Sequence, residues 1–135
     1  MTIKTKLIEY MDGDDVLEAS ISWDDKSDKL RPGVLIGHAW AGRTNFECKK
    51  AEEIAKLGYV GFALDMYGKD INGGSKEENS RLMSPFIENR EKLQKRMFSA
   101  LETLKKQALV DDKRLAAIGY CFGGLMALDL ARCGA

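Results

Sequence analysis

The sequence predicts an α/β fold: an initial hairpin, then a mainly parallel sheet with flanking helices. Three observations carry this. Two strand-like runs, residues 4–10 and 16–23, flank the turn Asp12-Gly13-Asp14-Asp15. Three short, continuous apolar runs follow, at Val34–Gly37, Tyr59–Leu64 and Leu115–Ile118, which suits strands buried on both faces. Helical patterns separate these runs, and strand–helix alternation is the signature of a parallel sheet.

Taken in order, the elements have local reasons. Asp24 to Pro32 is a polar loop leading into Val34-Leu35-Ile36-Gly37. Thr44-Asn45-Phe46-Glu47 reads as a capping box that opens a helix. Phe46, Ala51, Ile54, Ala55 and Leu57 are expected on its buried face, and Gly58 is placed to cap its end. Asp65 to Ser84 is polar and glycine-bearing, and is expected to be a functional loop or a short helical insert. A helix is predicted over 86–108, because Leu93, Met97, Leu101, Leu104 and Ala108 recur at helical spacing. Val110 to Arg114 turns the chain into Leu115–Ile118. The last helix, Leu125 to Cys133, is apolar nearly all round and is expected to be covered on several sides. No repeat, low-complexity tract or linker divides the chain, so residues 1–135 read as part of a single domain.

Composition narrows the function. The chain has 135 residues, 44% hydrophobic and 31% charged, with 21 Lys plus Arg against 21 Asp plus Glu. That balance favours neither nucleic acid nor an anionic membrane as partner. The N-terminal residues lack the apolar core of a signal peptide, and no apolar run is long enough to span a bilayer. Cys48, Cys121 and Cys133 are odd in number and form no CxxC pair, so free thiols in a cytoplasmic setting are expected.

The chemistry concentrates in Gly119-Tyr120-Cys121-Phe122-Gly123-Gly124. A reactive side chain on a strand-to-helix turn bounded by glycines is a nucleophile elbow. The helix N-terminus behind it favours a thiolate. Cys121 is therefore the candidate nucleophile, whereas Cys48 and Cys133 read as ordinary thiols. The same glycines do not form a dinucleotide fingerprint, and Gly73-Gly74-Ser75-Lys76 is no phosphate loop. No metal-ligand spacing or cofactor motif is present.

Three segments in this order resemble the dienelactone hydrolase family of the α/β-hydrolases, over its N-terminal part. They are Val34-Leu35-Ile36-Gly37-His38-Ala39-Trp40-Ala41-Gly42, Ala63-Leu64-Asp65-Met66-Tyr67-Gly68 and Ile118-Gly119-Tyr120-Cys121-Phe122-Gly123-Gly124. The resemblance implies a Cys–His–Asp hydrolase of ester or lactone substrates, working through an acyl-thioester. By position it makes the backbone N–H groups of Phe122 and Trp40 the oxyanion hole. Arg81 falls near a family arginine that holds the substrate carboxylate, though a solvated surface role is the competing reading. Ala39 stands where the dienelactone hydrolases proper have a Glu that contacts the nucleophile, which puts that route of activation in doubt. The family's triad His and acid come after the elbow helix. His38 therefore reads as structural or pocket-lining, and Asp65 and Asp129 do not fit the acid. The chain is thus expected to be a partial hydrolase, truncated after the elbow helix and inactive alone, with an exposed sheet edge inviting self-association. A noncatalytic binding or assembly fragment, and a class I amidotransferase-like Cys enzyme, stand as alternatives.

Overall fold

The computed structural model describes residues 2–135. Among them, β1 (Ile3–Asp12), β2 (Asp15–Asp24), β3 (Arg31–Gly37), β4 (Val60–Ala63) and β5 (Val110–Gly119) form one sheet, in the order β1-β2-β4-β3-β5. β1 and β2 make the expected hairpin, closing at Asp12 opposite Asp15. β2 runs antiparallel to β4, whereas β3 is parallel to both β4 and β5. Side chains of β3 alternate between the two faces, as the pleat requires. Leu35 joins the large core with Leu93, Met97, Leu104 and Met126, while Val34 and Ile36 meet Ala51 and Ala63 in a smaller cluster.

Helix α1 (Asn45–Lys56) begins at the predicted capping box. Thr44 Oγ1 accepts from Phe46 N–H (3.3 Å), and Glu47 Oε1 accepts from Thr44 N–H (2.8 Å). Gly58 follows the helix at φ +94°, a conformation costly for any side chain. The buried face is narrower than predicted: Ala51 and Ala55 are fully covered, but Phe46 and Leu57 are 49% and 70% exposed. Leu57 sits past the last helical turn, and Phe46 lies on the outer side, its ring edge-on to Tyr120 at 5.0 Å.

The helix predicted over 86–108 is two helices, α2 (Lys76–Glu88) and α3 (Arg90–Lys105). Asn89 breaks them by turning its side chain into an N-cap for α3, accepting from Lys92 N–H at 3.3 Å. The polar stretch beyond Asp65 is accordingly loop only as far as Ser75, which caps α2 by accepting from Glu78 N–H at 3.2 Å. α2 buries only Phe86 and carries Pro85 inside it, so neither periodicity nor propensity marked it. β5 likewise begins earlier than predicted, at Val110, with irregular pairing between Arg31 and Gly33. Asp111 accepts from Lys113 N–H (3.0 Å) within that irregularity, which is the turn chemistry read there.

Helix α4 (Phe122–Arg132) buries Met126 and Leu130 but leaves Leu128 56% exposed, so it is less covered than its composition predicted. β5 is the edge strand, paired on one side with β3. Beside it Leu115, Ala117, Leu101 and Leu130 line an open groove of about 430 Å³. No helix among the described residues is long and apolar enough to cross a membrane.

Candidate active site

Because β3, β4 and β5 are parallel, their carboxyl ends open on the same edge of the sheet. That edge is where α/β folds gather functional loops. Three segments meet there: His38–Gly42 after β3, Leu64–Gly68 after β4, and Tyr120–Cys121 after β5.

Cys121 occupies the turn between β5 and α4 at φ 54°, ψ −112°, with its residue exposed. Non-glycine residues avoid this region, and holding one there costs about 1–3 kcal/mol. Close packing enforces it. A Cβ on Gly119 would stand 1.9 Å from the Gly123 carbonyl oxygen, and one on Gly123 would stand 2.1 Å from the Gly37 oxygen. α4 therefore comes down onto the ends of β3 and β5 only because both positions lack side chains. The turn is closed by Gly123 N–H to Tyr120 O and Gly124 N–H to Cys121 O, both 2.9 Å. Phe122 opens the helix, and its N–H finds no acceptor among the described residues.

Trp40 lies in the turn after β3, where Gly42 N–H donates to Ala39 O at 3.1 Å. The Trp40 N–H is likewise without an acceptor among the described residues. Its carbonyl accepts from the Tyr67 hydroxyl at 2.7 Å, and burial pushes the ionisation of that hydroxyl up. Asn72 Nδ2 donates to the carbonyls of Ala41 (3.3 Å) and Arg43 (2.9 Å), so the loop is clamped from the far side as well.

His38 is fully buried, and both ring nitrogens are engaged. Nε2 accepts from Met66 N–H at 3.0 Å, so Nδ1 carries the proton and donates to Ala39 O at 2.7 Å. Burial, the largest influence, holds its ionisation below the usual histidine range. With both nitrogens committed and the ring enclosed, His38 is not available as a base for Cys121. It is the one histidine of the chain.

The carboxylates set aside in the sequence have structural work. Asp65 accepts from Tyr67 N–H (3.1 Å), Gly68 N–H (3.0 Å) and Glu18 N–H (3.0 Å), shaping the loop after β4. Asp129 is buried and takes two bonds from Arg90 (2.7 and 2.5 Å) and one from Arg132 (2.8 Å), tying α4 to α3. The Arg90 bonds, with help from Arg132, hold its carboxyl below the ordinary range.

Of the four predicted site residues, Cys121, Phe122 and Trp40 share this edge. Arg81 is exposed on α2 and makes no hydrogen bond or ion pair with the other three. Its helix does border the site, since Phe86 of α2 lies 6.5 Å from the Phe122 ring. Cys48 accepts a 3.2 Å contact from Arg43, and Cys133 is exposed at the end of α4. Sequence reasoning missed Tyr67 and Arg96. Arg96 is buried in α3, bonds Asp12 (3.1 Å) and Asp15, and donates to Met66 O at 2.6 Å. The only signal for it was a charge set between the buried positions Leu93 and Met97.

The strand order, the layered helices and the tight β5–α4 turn define an α/β-hydrolase fold. The dienelactone hydrolase family model matches residues 18–135, and the chain belongs to that family. It is similar to a protein of Aquifex aeolicus described provisionally as a carboxymethylenebutenolidase, 30% identical over 105 residues, which cover 74% of this chain and 45% of that protein. The solved structure of m3DLH superposes with a TM-score of 0.96 at 34% identity, covering 100% of this chain and 56% of its own. A second, the dienelactone hydrolase-like promiscuous phosphotriesterase P91 from metagenomic libraries, gives 0.95 at 31% identity, with the same coverage. The chain spans about half the length of these relatives.

Proposed function

We propose that this chain carries the nucleophilic half of a Cys-dependent hydrolase for ester or lactone carbonyls, forming an acyl-thioester on Cys121. The observation that carries the reading is the exposed Cys121 at φ 54° on a turn that glycines alone permit, at the N-terminus of α4. The N–H groups of Phe122 and Trp40, both without acceptors among the described residues, are the oxyanion donors in this reading. Arg81 is the proposed contact for a substrate carboxylate. Residues 1–135 form the N-terminal portion of one hydrolase domain, and the open β5 edge is its surface for self-association. The one histidine is committed to the fold, so the 135-residue chain acylates but does not turn over.

The test is p-nitrophenyl acetate with the 135-residue protein. A burst of p-nitrophenolate matched by an acetyl group on the Cys121 peptide is expected, with no steady state, and Cys121→Ala loses that burst and keeps only the slower acetylation of the exposed Cys133. Acetylation equal in Cys121→Ala, or sustained turnover lost in that variant, would overturn the nucleophile and the inactivity respectively.

A further inference from the structure

We infer that His38 is a positioning residue for the oxyanion site: its Nδ1–H holds the peptide unit whose opposite end is the Trp40 N–H. The inference rests on the reading of Trp40 as an oxyanion donor.

The geometry is direct. The Ala39 carbonyl and the Trp40 N–H belong to one planar peptide and point in opposite directions. Ala39 O accepts from His38 Nδ1 (2.7 Å) and from Gly42 N–H (3.1 Å). Fixing the carbonyl aims the N–H, and two donors on that oxygen polarise the unit so that its N–H donates more strongly. The next peptide is fixed separately, through Tyr67 Oη to Trp40 O at 2.7 Å. His38 is itself held on its far side. Met66 N–H donates to Nε2 (3.0 Å), and Arg96 donates to Met66 O (2.6 Å) while pairing with Asp12. The imidazole ring also packs against Tyr67 (4.9 Å) and Phe122 (6.2 Å), so it touches the residue that supplies the other proposed donor.

The experiment compares two reactions of Cys121 in the 135-residue protein. With p-nitrophenyl acetate the thiolate adds to the carbonyl carbon. The π pair moves to oxygen, where the N–H groups hold it, and collapse expels p-nitrophenolate to leave the thioester. With iodoacetamide the thiolate displaces iodide from a saturated carbon and no oxyanion forms. Rates at Cys121 are read by peptide mass spectrometry and divided by those at Cys133.

Wild-type Cys121 is expected to show excess acetylation over alkylation relative to Cys133. His38→Leu should cut acetylation about tenfold, less than the 10²–10³ for removing a donor outright, with alkylation unchanged. His38→Asn, which restores a donor near Nδ1, should recover most of the loss. If wild type shows no excess, the oxyanion reading itself fails. An excess that survives in His38→Leu overturns only the role of His38. Equal loss of both reactions in His38→Leu, or no recovery in His38→Asn, also overturns that role.

Discussion

Mild acidification, from about pH 7.5 to about 5.0, should destabilise this protein through His38. His38 is buried with Nδ1–H on a carbonyl and Nε2 on an amide N–H. A proton added at Nε2 would face the Met66 N–H, so the folded state rejects it. Burial is the main cause of the lowered ionisation. The Ala39 carbonyl, Asp65 and Glu47 oppose it, and Arg43 reinforces it. The unfolded chain titrates near the ordinary 6.5. Below that value the unfolded state binds a proton that the native state does not, so stability falls as pH falls. Lowering the pH from about 7.5 to about 5.0 should then cost up to about 2 kcal/mol, the limit reached when the native state takes up no proton, at ~1.4 kcal/mol per pH unit.

Urea unfolding followed by tryptophan fluorescence reads this directly. With an m-value of roughly 1–3 kcal/mol per molar urea, the midpoint should drop by about 1 M. His38→Gln removes the titrating group and should be flat over the same range. Equal stability of the wild type at both ends of the window, or an equal slope in His38→Gln, would refute the reasoning.

Two further outcomes follow from the geometry. Cys121→Gly should stabilise the fold by about 1 kcal/mol, since it relieves backbone strain of about 1–3 kcal/mol and gives back part as glycine's entropy; thermal melting at neutral pH checks it. Asp129→Ala should cost about 2 kcal/mol at neutral pH. The Asp129 carboxyl is held below its unfolded value, so this difference is complete above that value and closes as pH falls through the native one, which urea midpoints at acid pH would show.

Sequence reading reached the strand order's raw material and the turn at Cys121 because both rest on local signals. Apolar runs, the capping box at Thr44 and the glycines around Cys121 are each visible within a few residues. α2 is legible only as one of two alternatives, a short helical insert in the polar stretch, and its bounds are not, because a helix that buries one side chain and contains Pro85 has no periodic signature. The exposed sheet edge expected of a partial hydrolase is β5, and its half-exposed residues follow from that position. His38 reads from sequence as structural or pocket-lining; its bond to the neighbouring Ala39 carbonyl is local, but its bond to Met66 spans 28 residues of chain and has no sequence signal. Tyr67 and Arg96 were missed for the same reason: their partners are brought together by the sheet and α3, not by sequence spacing.

The two sides of the site are consequently held by different physics. Cys121 and Phe122 are placed by steric contact among Gly37, Gly119 and Gly123, which neither pH nor salt alters. Trp40 is placed by hydrogen bonds running from Arg96 through Met66 and His38 to the Ala39 carbonyl. Because the folded state excludes a proton from His38 Nε2, the second arrangement persists in acid until the chain unfolds, and both sides of the site are then lost together.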